Sequence, residues 1–197
     1  MKCFRIAIGV GLLAPVMAQA QGYIVPNGVT YGGYSPGAGY QIRVLISPTD
    51  YPSAYTAFSL NPVDTTTFSY DAIAMVGCRS FLVSPNDPVS LQAIQSQGYT
   101  ELLVSSPGYY FDLNTPFYVG IYTGTFLTDG IYSIPVFGWA LLENVNGAIQ
   151  LLDSALEYGG AGIYAGTQTI IPVPEPSTLG LLSLGGLFLG WRWRKAA

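Results

Sequence analysis

Apolar and polar positions along this chain alternate two by two more often than they recur every three or four residues, and that period predicts strands. In the first half it marks Gln41 to Ile46, Ala54 to Leu60, Thr66 to Tyr70 and Leu102 to Ser105. In the second half Pro116 to Thr123, Tyr132 to Leu142, Ala148 to Glu157 and Ile163 to Ile171 are apolar or alternating runs. They are separated by Thr128-Asp129-Gly130, Asn144 to Gly147 and Gly159-Gly160. Asn146-Gly147 predicts a tight hairpin turn, because a type I′ turn needs positive φ at both central positions and these two residue types tolerate it. One short helix is predicted over Asp87 to Gln97, with Asp87 as its cap, Pro88 at the first helical position and Gly98 ending it in the left-handed region. Val89, Leu91 and Ile94 give it only a partial apolar face, so a turn or irregular loop is the alternative. Many short strands divided by Gly and Pro turns predict a mainly β fold, an antiparallel β-sandwich or a barrel; the sandwich is the expectation for residues 21–171.

The two ends follow other rules. Lys2 and Arg5 precede an apolar run from Ile6 to Val16, and Ala18-Gln19-Ala20 supplies small residues at a cleavage site. That order predicts a secretory signal peptide over residues 1–20, with signal cleavage between Ala20 and Gln21. Cys3 lies before the apolar run instead of after it, which argues against a lipoprotein. At the other end Val173-Pro174-Glu175-Pro176-Ser177 is followed by an apolar, Gly-rich stretch from Thr178 to Gly190, then by Trp191, Arg192, Trp193, Arg194 and Lys195. Trp suits a membrane interface, and Arg192, Arg194 and Lys195 form a membrane stop held on the cytoplasmic side. As a helix, residues 178–193 would rise about 24 Å against a hydrocarbon core of roughly 30 Å, a marginal transmembrane helix.

Pro-Glu-Pro, a short Leu/Gly-rich stretch and a terminal basic cluster, in that order, resemble the PEP-CTERM sorting tail of Gram-negative bacteria. The resemblance covers about the last 25 residues, 172–197 as a segment. It implies recognition by an exosortase-type sorting enzyme, processing near Val173 to Ser177, and transient anchoring in the inner membrane after signal peptidase has acted. Tyr118-Val119-Gly120, Phe137-Gly138-Trp139-Ala140 and Asp153 to Tyr158 also resemble, loosely, the closing strands of many such substrates, which implies a lectin-like or jelly-roll-like sandwich.

Composition narrows the chemistry. The chain has no histidine, which removes the commonest general base, the usual zinc ligand and any Ser-His or Cys-His pairing. Between the two ends, Arg43 and Arg79 stand against ten carboxylates. Nucleic-acid binding needs clustered Lys and Arg, so no nucleic-acid partner is expected. Cys78 would be alone once Cys3 is removed, and a buried structural thiol is its expected role, against an intermolecular or reactive one. Glu101, Asp112, Glu143, Asp153 and Glu157 are the stock from which a glycan-cleaving pair would be drawn; the plainer reading is that they solubilise a surface almost without Lys. No alternating Asp/Asn calcium loop occurs, and neither metal nor cofactor is implied. Tyr31, Tyr34, Tyr40, Tyr109 and Tyr110, in Gly/Pro-rich stretches read as loops, together with Trp139, offer faces on which sugars stack; packing on half-buried strands is the alternative.

The expectation for function is therefore an exported, non-enzymatic protein of the cell envelope, surface or extracellular matrix, associated with biofilm or exopolysaccharide. The alternatives are a carbohydrate-binding module for secreted polysaccharide and, with less support, a carboxylate-based glycan-active enzyme.

Overall fold

A computed structural model of the chain describes residues 22–36, 39–47, 51–73, 78–104, 108–123, 127–128, 131–132 and 134–172. In chain order the strands are β1 (Tyr23–Pro26), β2 (Val29–Ser35), β3 (Gly39–Ser47), β4 (Tyr51–Pro62), β5 (Thr67–Ile73), β6 (Arg79–Val83) and β7 (Pro88–Val89). After helix α1 (Leu91–Ser96) come β8 (Thr100–Glu101), β9 (Tyr109–Tyr110), β10 (Pro116–Tyr122), β11 (Leu127–Thr128) and β12 (Ile131–Tyr132). The last are β13 (Val136–Val145), β14 (Ala148–Tyr158) and β15 (Ile163–Tyr164). The described chain is thus mainly β, with one short helix.

Two antiparallel sheets carry most of it. One has the order β1-β14-β13-β10-β6-β8, the other β2-β3-β4-β5-β9. The chain changes sheet at Asn27-Gly28, where Asn27 turns to a φ of 52° and its amide donates to the Ser154 carbonyl at 2.8 Å. Ile42, Val44, Phe58, Leu60 and Phe68 from the second sheet meet Val119, Ala140, Leu142, Ile149 and Leu156 from the first in one apolar cluster. The sheets therefore face each other across a shared core. Polar stitches close it: the Tyr31 hydroxyl donates to the Ile149 carbonyl at 2.8 Å, and the Tyr70 hydroxyl to Ser80 Oγ at 3.2 Å.

The first sheet is buried on its other face as well. Phe81, Phe137, Trp139 and Ala155 form a second cluster there with Val89, Ile94, Ile163 and Ala165, contributed by β7, α1, β15 and the residue that follows it. That cover explains why β13 is buried without interruption from Val136 to Ala140, then alternates. A strand covered on both faces loses its period of two.

The predicted strands and the structure agree over β3, β4, β5, β10 and β14. Four expectations change. Tyr132 to Leu142 is interrupted at Ile134-Pro135, since proline cannot donate to a ladder. The strand expected at Leu102 to Ser105 lies at Thr100–Glu101, with Ser105 outside the described residues. Ile163 to Ile171 is a hook, not a strand: after β15 the chain reverses so that Ile170 bridges back to Ile163. The helix begins at Leu91, capped by Ser90, whose Oγ accepts from the Ala93 amide at 3.3 Å. Asp87 instead accepts from the Ser84 amide at 2.7 Å, and Pro88–Val89 is drawn into β7 by pairing with β15. Gly98 does take the left-handed conformation, at φ 63°.

Candidate functional site

The hairpin β13–β14 is the spine on which both ends of the described chain are hung. Asn146 and Gly147 have φ of 53° and 84°, the positive pair that a type I′ turn requires. Asn144, fully buried, holds the turn in place. Its Nδ2 donates to the carbonyls of Thr65 and Phe111, each at 2.9 Å, and its Oδ1 accepts from the Gly147 amide at 2.9 Å. Along β14 the register shifts at Leu142, leaving Leu152 as an extra residue opposite the partner strand. This bulge returns Ser154 and Leu156 to the inner face and turns Glu157 toward the outer one.

Glu157 is thereby placed where β1, β14 and the chain's exit converge. It pairs with Phe137 on one side and Ile24 on the other, and it is wholly buried, which corrects the expectation that it solubilises the surface. Its Oε2 accepts from the Gly162 amide at 3.0 Å. Its Oε1 is buried and has no hydrogen-bond partner among the described residues. Burial raises the carboxyl above the usual range, opposed by the backbone amides of Gly162, Ala161 and Gly160. The same loop holds the exit: Ile171 donates its amide to the Gly162 carbonyl at 2.9 Å. Described structure ends at Pro172. Gly22, at the start, presses against Glu157 so closely that a Cβ there would stand 2.1 Å from Oε1.

The other candidate residues are scattered. Glu101 forms an ion pair with Arg79, Nη2 to Oε2 at 2.6 Å, and its hydrogen bond to that guanidinium holds the carboxyl below its usual range. Asp112 and Asp153 are exposed and Glu143 half-buried. In register, Asp153 faces Leu141, Glu143 faces Pro116 and Gln150, and Glu101 faces Phe81, so no two carboxylates stand directly opposite one another on these ladders. Among the described residues no group of His, Cys, Asp and Glu could hold a metal ion. The tyrosines expected in loops lie on strands: Tyr31 and Tyr34 on β2, Tyr40 on β3, Tyr109 and Tyr110 on β9. Trp139 is 2% exposed and its indole N–H donates to the Thr167 carbonyl at 2.8 Å, so it offers no face to a sugar. Tyr109 is spent on the Glu101 carbonyl and the Leu103 amide, whereas Tyr110 is 67% exposed. Cys78 is a buried thiol.

The family described as the PEP-CTERM protein-sorting motif matches residues 172–195. This chain carries a PEP-CTERM sorting signal. The match spans the Pro-Glu-Pro run, the apolar stretch and the basic cluster, the three parts whose order pointed to it. No curated protein and no solved structure matches the chain. The PEP-CTERM signal implies recognition by an exosortase and export toward the cell envelope. Val173, Pro174, Glu175, Pro176, Ser177, Arg192, Arg194 and Lys195 lie outside the described residues, as do Ala18, Ala20 and Gln21 of the expected signal-peptide cleavage site. Among the described residues no helix is long and apolar enough to cross a membrane.

Proposed function

We propose that this protein is a non-enzymatic component of the cell surface or extracellular matrix, a β-sandwich body that its PEP-CTERM tail delivers and an exosortase releases. The observation that carries the reading is the directness of the junction. Ile171 is still hydrogen-bonded to the body, and Pro174 follows three residues later. Each proline fixes its own φ and disfavours helix for the residue before it, so the Pro-Glu-Pro sequence itself favours an extended segment. An extended segment is what a processing enzyme grips.

A structural role is supported by the buried polar side chains that hold turns and strands in place. Asn144, Glu157, Trp139 and Tyr70 serve packing and turns, and the ion pair Arg79–Glu101 lies at a sheet edge. The sugar-binding reading loses Trp139, which is buried, and keeps Tyr31 and Tyr110 as exposed rings. Incubation of the exported protein with an array of polysaccharides and with the host's own secreted polysaccharide tests this. The expected result is neither chain cleavage nor saturable binding; shortening of a polysaccharide would establish an enzyme, and micromolar binding abolished by Tyr110→Ala would establish a carbohydrate-binding module.

A further inference from the structure

We propose that β2 is a self-pairing edge through which two copies of this chain join, antiparallel and about a two-fold axis, into one continuous sheet. β2 ends the five-stranded sheet, with β3 as its only strand neighbour among the described residues. An edge strand offers alternate N–H and C=O groups to any strand that can reach them, and proteins guard such edges with shortness, charge or proline. The other three terminal strands are guarded in these ways. β1 has four residues and ends in Pro26, while β8 and β9 have two residues each. Glu101 of β8 also carries a charge, paired with Arg79. β2 has seven residues, Val29–Ser35, with neither charge nor proline among them, and Thr30, Tyr31 and Gly32 are exposed.

Sequence and register together select a second copy as the partner. Thr30-Tyr31-Gly32-Gly33-Tyr34-Ser35 reads nearly the same in both directions. Two such strands laid antiparallel set a hydroxyl residue opposite a hydroxyl residue, Tyr opposite Tyr and Gly opposite Gly, and hydroxyl and aromatic pairs of this kind stabilise a ladder. In a regular strand this symmetry would fail, because residues an odd number of steps apart lie on opposite faces while ladder partners must share one. The bulge removes the obstacle. Tyr31 pairs with Ile42 and Tyr34 with Tyr40, three steps on β2 against two on β3, so Gly32-Gly33 counts as one position and residues 31 and 34 fall on the same face. A Cβ on Gly32 would stand 3.2 Å from Gln41 Cβ and 3.3 Å from Arg43 Nε, which makes glycine the residue that fits this extra step against β3. With the axis through the two bulges, Tyr31 stands opposite the second copy's Tyr34, and Thr30 opposite the second copy's Ser35. A straight strand from another protein would fall out of step at the bulge, whereas an identical strand carries the matching one. Charge favours the same contact. Residues 21–49 hold no carboxylate and one base, Arg43, and all ten carboxylates of residues 21–171 lie from Asp50 onward. Two acidic bodies therefore meet here with the least repulsion.

Cross-linking of the exported protein reads this register directly. Thr30→Cys alone, Ser35→Cys alone, and the two single variants co-expressed as separate chains are oxidised and run on a non-reducing gel; Cys78, common to all three, is buried. A covalent dimer is expected only from the co-expressed pair. Residue 30 faces residue 35 of the second copy, whereas the two copies of residue 30 lie more than about 13 Å apart, beyond the roughly 7 Å that a disulfide spans between Cα atoms. Sedimentation equilibrium of the wild type at micromolar concentration should give twice the chain mass. The double variant Thr30→Lys with Ser35→Lys sets Lys opposite Lys at both ends of the paired stretch and should give the chain mass, with the strand signature in circular dichroism retained. If that variant does not fold, the cross-linking comparison decides alone. A monomeric wild type overturns the proposal. So do a co-expressed pair that fails to cross-link, single variants that cross-link as well as the pair, and a folded double-Lys variant that remains a dimer.

Discussion

Asn144 shows how one side chain can hold three parts of this fold. It ties the loop at Thr65, the segment at Phe111 and the turn at Gly147 to a single buried amide. Asn144→Ala removes three hydrogen bonds and leaves two carbonyls and one N–H without their partner. A buried unsatisfied group costs about 1–3 kcal/mol, so the variant should lose roughly 2–4 kcal/mol, read as a lower urea midpoint with an unchanged slope. A loss under about 0.5 kcal/mol would mean that water replaces the side chain. Cys78 makes a simpler case. At 7% exposure its thiol should react with a thiol reagent only when the protein unfolds, and stoichiometric modification of the native protein would show that it is not enclosed.

At the scale of elements, the hairpin β13–β14 was legible from Asn146-Gly147 because a type I′ turn has few sequence solutions. Gly147→Val should cost about 1–2 kcal/mol in a urea melt, since φ is 84° and a Cβ would meet Thr65 Cα at 3.3 Å. The strand signature in circular dichroism should persist; a wild-type urea midpoint would show that the turn relaxes freely. Other elements were hidden for physical reasons. β2 contains Gly32-Gly33 where its pairing with β3 is irregular, between Tyr31 and Tyr34, so it reads as a loop. The helix cap was misplaced because Asp87-Pro88 carries the usual start signal, and the pairing of Pro88–Val89 with β15 outweighs it. The bulge at Leu152 resets which face each later residue of β14 occupies, and a pattern of alternation alone does not locate it. For that reason Glu157 looked like a surface carboxylate in the sequence, although it is buried.

For the whole molecule, the entry at Gly22 and the exit at Ile171 meet at one corner, around Glu157 and the Gly159 to Gly162 loop. The sorting signal begins at that corner without an intervening linker, and its three parts were legible because membranes and processing enzymes read order and composition more than tertiary contacts. A short Gly-Ser spacer between Pro172 and Val173 should leave the urea midpoint unchanged and should slow tail processing by separating the motif from the body. Processing at the wild-type rate would show that the direct junction does not matter to the enzyme.

The most direct test of the account is the fate of a variant in which Pro174, Glu175 and Pro176 are all replaced by Ala, expressed in the native host and followed by fractionation and immunoblotting. The account predicts full-length protein retained in the inner membrane with its body folded, while the wild type is processed and reaches the surface or medium. Processing and localisation of the triple-Ala protein like those of the wild type would contradict it.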